Sequence, residues 1–86
     1  MYKVQIHKRV QKFLQFHSEL LKPFAEKVKI IQIDPYSKFL DVKQMQWYNK
    51  NVYRLRIGKY RFLYEIFEEE IFIDIFDADN RGDIAN

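Results

Sequence analysis

The chain has 86 residues, the size of one domain, with 48% hydrophobic, 17% aromatic and 31% charged side chains. That is a globular composition, and two Gly and two Pro exclude a collagenous or linker-like chain. With no cysteine, a disulfide scaffold, a thiolate zinc site and a cysteine nucleophile are excluded, and a reducing cytoplasm is the expected compartment. No apolar run reaches the roughly 18–20 residues of a membrane span, and no secretory signal pattern opens the chain. The net charge of +3 hides a strong asymmetry. Residues 1–61 carry 14 Lys or Arg against four acids, whereas residues 62–86 carry Arg81 against eight acids. A basic working surface for a polyanion, beside an acidic segment, is one reading. Charge scattered over a solvated surface is the other.

Tyr2, Val4 and Ile6 alternate with polar residues, which predicts a short strand. From His7 the period changes. Val10, Phe13, Leu14, His17, Leu20, Leu21, Phe24, Val28 and Ile31 recur at spacings of three and four, an amphipathic helical stripe. Pro23 suits a first helical turn, so two helices are expected, roughly 7–21 and 23–32, folded as a hairpin; one long kinked helix is the alternative. Asp34-Pro35 stops the second helix. Residues 34–50 read as a loop with a turn of helix around Phe39–Met45.

The second half reads as strand. Tyr53, Leu55 and Ile57 alternate with Arg54 and Arg56. Gly58-Lys59, with Gly first, predicts a type II′ hairpin turn, and Tyr60–Phe67 is the return strand. Glu68–Glu70 make an acidic turn, Ile71–Phe76 a third strand, and 77–86 a polar tail. The expected order is β-α-α-β-β-β: a small antiparallel sheet with two helices on one face, an α+β fold forming one domain over residues 1–86.

The two-residue turn fixes register. It pairs Ile57 with Tyr60, Arg56 with Arg61, Leu55 with Phe62 and Tyr53 with Tyr64. Leu55, Phe62, Tyr53 and Tyr64 build the core face. Arg56 and Arg61 then oppose each other on the other face, with Arg54 two residues along. Like charges directly opposed destabilise a sheet, and guanidinium suits multidentate phosphate recognition. Phosphate binding is one reading of this cluster. Neutralisation by Glu65 and Asp74 across the strands is the other. His7 and His17 are isolated, and His17 reads as a core histidine on the helical stripe. No metal-ligand spacing, Gly-rich phosphate loop, Ser nucleophile elbow or paired-carboxylate site is visible, so neither metal nor cofactor is expected. Trp47 and Tyr48 suit either base stacking or anchorage of their loop in the core.

The segment Tyr53-Arg54-Leu55-Arg56-Ile57-Gly58-Lys59-Tyr60-Arg61-Phe62-Leu63-Tyr64-Glu65-Ile66 resembles the central hairpin of the RelE/ParE superfamily, the toxins of type II toxin–antitoxin pairs. The likeness runs over the whole chain. Its end, Asn80-Arg81-Gly82-Asp83-Ile84, resembles the family's closing His-Arg-x-Asp/Glu-Val/Ile-Tyr element. The resemblance implies an mRNA interferase, a ribosome-dependent endoribonuclease that cleaves the A-site codon by attack of a ribose 2′-hydroxyl on the adjacent phosphate. It implies a cognate antitoxin, the ribosome and A-site mRNA as partners, and inhibition of translation as the outcome. Arg54 and Arg56 match basic residues of the family's second strand. Arg61 matches an arginine that holds the scissile phosphate, and Arg81 a basic residue near the closing element. Two positions depart from the pattern. Arg54 stands where lysine is frequent, and Ala85 where the family has tyrosine, which implies attenuated chemistry. Two alternatives stay open: a ParE-like poison of DNA gyrase, and a non-catalytic module that binds the antitoxin.

Overall fold

A computed structural model describes residues 1–46, 48–49 and 51–80. The elements are β1 (Lys3–Ile6), α1 (Lys8–Gln15), a 3-10 turn (Ser18–Leu20), α2 (Leu21–Ile33), β2 (Val42–Gln44), β3 (Val52–Ile57), β4 (Tyr60–Phe67) and β5 (Phe72–Asp79). The five strands form one sheet in the order β1-β5-β4-β3-β2. Strands β2 to β5 pair antiparallel, and β1 joins β5 in parallel. The α+β class with two helices on one sheet face holds. The parallel edge makes the sheet mixed.

The helical stripe supplies the core. Val10, Leu14, Leu20, Phe24 and Ile31 are buried, packed against Leu55, Phe62, Tyr64, Ile66, Ile73 and Ile75 of the sheet. Phe62 sits between two aromatic rings, 4.9 Å from Phe24 and 5.9 Å from Phe13. Truncating so buried an aromatic costs about 3–5 kcal/mol. The break between the helices comes at Phe16–His17. There the 3-10 turn resets the direction, and Leu21 faces solvent instead of the core. Pro23 occupies the first turn of α2, where its missing N–H costs nothing. Asp34 ends α2 with an extended backbone ahead of Pro35, and its carboxylate accepts from the Tyr36 N–H at 3.0 Å.

Residues 42–44 form a strand where the sequence suggests loop and a helical turn. Three residues are too few to show a period. The strand exists because Val42 and Lys43 complete the β3 ladder opposite Leu55 and Arg54. The Arg56 N–H extends the same contact by donating to the Asp41 carbonyl at 2.9 Å. The last strand also runs further than its apolar run. A β-bulge at Leu63/Tyr64 leaves Phe76 as the extra residue, after which Asp77, Ala78 and Asp79 pair with Leu63, Phe62 and Arg61.

The loop 34–37 is held to the sheet by tyrosines. The buried Tyr64 hydroxyl donates to the Pro35 carbonyl at 2.7 Å. Tyr2 donates to one Glu68 carboxylate oxygen at 2.7 Å, and Tyr36 donates to the other. Burial, then the bond to Glu68, pushes the Tyr36 phenol above its ordinary value. Those two hydrogen bonds, Tyr36's first, hold the Glu68 carboxyl below its usual range.

Two outcomes follow from these contacts. A depressed carboxyl contributes stability above its unfolded pKa, near 4.5, and loses it as pH falls through the folded value. Glu68→Gln is therefore expected to flatten the fall in Tm with pH below that point, read by thermal melts across an acid series. Ile71 stands at φ 51, a left-handed conformation that costs a β-branched residue about 1–2 kcal/mol, and its side chain is exposed. Ile71→Asn is expected to raise the urea midpoint by the equivalent of about 1 kcal/mol with an unchanged m-value.

Candidate nucleic-acid interface

The hairpin register places the arginines as the sequence predicts. Arg56 pairs with Arg61, Leu55 with Phe62, Tyr53 with Tyr64 and Ile57 with Tyr60. Gly58 has φ 61 and Lys59 has no positive φ, as a type II′ turn requires. A Cβ at Gly58 would meet nothing within 4 Å, so glycine is needed there for backbone conformation and not for space. Arg54, Arg56 and Arg61 thus share the sheet face away from the helices.

The cluster is not neutralised by the acids the sequence suggests. Glu65 and Asp74 lie opposite each other one strand over, and among the described residues neither forms an ion pair with the arginines. The acid that engages the cluster is Asp41, from the loop before β2. One of its carboxylate oxygens accepts from Arg56 Nε at 2.9 Å, and the other lies 3.9 Å from Arg54. Asp41 carries no periodic or motif signal. Only the strand at 42–44 would have placed it beside Arg56.

The three cations differ in setting. The Arg56 side chain is 44% exposed, whereas that of Arg54 is 12% exposed. Burial pushes the Arg54 guanidinium below its ordinary value, Arg56 adds to that, and Asp41 opposes it. Arg54 stays charged at neutral pH all the same, since a guanidinium starts above about 12. The buried Nε groups of Arg54 and Arg61 have no hydrogen-bond acceptor among the described residues. Unpaired buried donors are costly, so this crowding is unfavourable as it stands. Lys43 opposite Arg54 adds a cation on the β2 side, and Asp79 opposite Arg61 adds an acid on the β5 side, so the positive charge gathers over β2 and β3.

The other candidates lie elsewhere. His17 packs on the helical side, stacked on Phe13 at 4.2 Å with Nδ1 2.9 Å from the Phe13 carbonyl. His7 caps α1, its Nδ1 accepting from the Arg9 N–H at 3.0 Å. Neither ring reaches the arginine face. Arg81, Ala85 and Trp47 lie outside the described residues. Among the described residues no group of three or more His, Asp or Glu could hold a metal, and no helix is long and apolar enough to cross a membrane.

No family model matches the chain. A curated protein of Methanocaldococcus jannaschii named "Putative toxin RelE1" is 36% identical over 76 residues, 86% of this chain and 83% of that protein. Among solved structures, the archaeal RelE–RelB complex from Pyrococcus horikoshii OT3 superposes with a TM-score of 0.80 at 29% identity. That match covers 95% of this chain and 97% of the other.

Removing the acid that pairs with Arg56 tests the electrostatics directly. Asp41→Asn is expected to elute from heparin at higher salt than the parent. Because both partners of the Arg56–Asp41 pair are solvent-accessible, the loss of stability should stay below about 1 kcal/mol in urea unfolding.

Proposed function

The chain belongs to the RelE family of toxins, and from that premise we propose that it is the toxin of a type II toxin–antitoxin pair and cuts mRNA in the ribosomal A site. The observation that carries the reading is the convergence of three guanidiniums on one open sheet face, with Arg56 directly opposite Arg61. In the proposed reaction the 2′-oxygen of a ribose bonds to the adjacent phosphorus and the bond to the 5′-oxygen breaks. The products are a 2′,3′-cyclic phosphate and a 5′-hydroxyl. Charge builds on the phosphoryl oxygens in the transition state, and fixed guanidinium donors stabilise it. Arg61 and Arg56 grip the phosphate from opposite strands. Arg54, shielded and one step along, holds a neighbouring oxygen, and Arg81 is included on the family likeness of the closing element alone.

Proton transfer is the weak part of this machinery. Arginine does not give up its proton near neutrality, so it serves charge stabilisation better than general base catalysis. Ala85 offers no phenol. A slow nuclease that depends on the ribosome to orient its substrate follows from both facts, and free RNA is a poor substrate. The antitoxin partner is expected to carry an acidic segment over the arginine face. The P. horikoshii RelE is in complex with RelB, which supports an antitoxin partner for this chain.

The test is cleavage on programmed ribosomes, mapped by primer extension, with the parent and with Ala85→Tyr. Both are expected to cut within the A-site codon, Ala85→Tyr faster. Arg61→Ala should lose roughly 10²–10³-fold in rate, the scale for removing one preorganised charge-stabilising donor, with unchanged circular dichroism. Full cleavage by Arg61→Ala would overturn the site assignment. Absence of cuts from both parent and Ala85→Tyr would overturn the nuclease reading in favour of gyrase poisoning, read by a supercoiling assay.

A further inference from the structure

The arginine face carries a second feature that phosphate binding does not use. Met45, Val52 and Leu63 form a small buried cluster on this side of the sheet, and Phe76 packs against it. Alternation from Ile73 and Ile75 on the core side puts Phe76 on this face, and the bulge, with Leu63 paired to Asp77 and Tyr64 to Ile75, leaves it without a ladder partner. Over Phe76 lies Tyr48, its ring 5.8 Å away and tilted by 47°. Tyr48 is 52% exposed.

The cluster beneath the rings adjoins the cations in the ladder, with Glu65 opposite Val52 on its other side. Leu63 pairs with Arg54 across β3–β4 and lies two residues from Arg61 on the same face. Phosphate donors and an exposed aromatic surface thus lie side by side, the combination that binds single-stranded nucleic acid. The loop that carries Tyr48 is pinned. The N–H groups of Tyr48 and Asn49 both donate to the Met45 carbonyl at 3.0 Å, Met45 N–H donates to Val52 at 2.8 Å, and Asn49 accepts from Val52 at 3.0 Å. With the backbone at Tyr48 fixed, less freedom is lost when a base lands on the ring than on a loose loop.

The geometry points to Tyr48, backed by Phe76, as the residue on which a nucleobase of the bound RNA stacks. The inference rests on the proposed RNA substrate and adds the residue that positions its base. It also gives the sheet face an aromatic contact that Ala85 cannot provide. A role confined to covering Met45, Val52 and Leu63 is the competing explanation, and a leucine would fill it as well as a tyrosine.

The test separates these without ribosomes or cleavage. A fluorescent single-stranded hexaribonucleotide carrying 5-iodouracil is titrated at low salt against the parent, Tyr48→Phe and Tyr48→Leu, then photocrosslinked and mapped by mass spectrometry. Stacking predicts a crosslink at Tyr48 and parental affinity for Tyr48→Phe. It predicts binding roughly 5- to 150-fold weaker for Tyr48→Leu, with an unchanged salt slope because the phosphate contacts remain. Parental affinity in Tyr48→Leu, crosslinks only elsewhere, or no binding by the parent would each overturn the assignment. A chain that crosslinks at Tyr48 yet cuts nothing on ribosomes keeps the stacking residue and discards the nuclease.

Discussion

The turn at Gly58-Lys59 is the constraint on which the arginine face depends. A two-residue loop leaves one register for the strands it joins, and a slip of one residue would carry every side chain to the opposite face. In the register that forms, Leu55, Phe62, Tyr53 and Tyr64 fall on the helix side. The same choice forces Arg56 against Arg61 on the other side. Burial on one face therefore enforces charge crowding on the other. The cluster cannot relax by sliding, because sliding would expose Phe62 and Tyr64.

What offsets the crowding is partial by design of the chain. Asp41 reaches Arg56 and Arg54 from the loop before β2, while Glu65 and Asp74 remain opposite each other on the neighbouring strands. The result is a face with positive charge concentrated on β3 and the start of β4 and acids set towards the far end of β4 and along β5. Such a gradient favours a polyanion laid across one half of the sheet and disfavours its spread onto the other. Between the two, Tyr48 and Phe76 put an aromatic surface over Met45, Val52 and Leu63.

The parts of this arrangement that the sequence reveals are those with a strong local period. The hairpin register, β4 and the amphipathic stripe through Val10, Leu14 and Phe24 are all legible, because alternation, a Gly-first turn and a 3.6-residue repeat are each unambiguous. The family likeness is legible for the same reason, being carried by that hairpin. Residues 42–44 are not, since a three-residue strand acquires its identity from its neighbour. Asp41 stays hidden with it. Leu21 matches the helical stripe and yet faces solvent, because the 3-10 turn at Ser18–Leu20 shifts the phase of α2 relative to α1. Phe76 alternates away from Ile73 and Ile75 onto the arginine side, and only the bulge explains why Asp77 pairs with Leu63 on that side while Ala78 returns to the core.

The pairing of β1 with β5 bears on when the molecule comes into being. Residues 3–6 find their partners only at 72–75, so the first strand waits for the last before either edge of that ladder exists. Domains are generally built from the N-terminus as they are synthesised, but this sheet cannot be finished that way. While the exit tunnel still holds β5, Phe76 and the strand that backs Arg61 are missing, and the chain has no completed face. Distant pairing of this kind also slows closure, because the connecting chain must be ordered first. The surface is therefore finished only once its last strand has come clear of the tunnel.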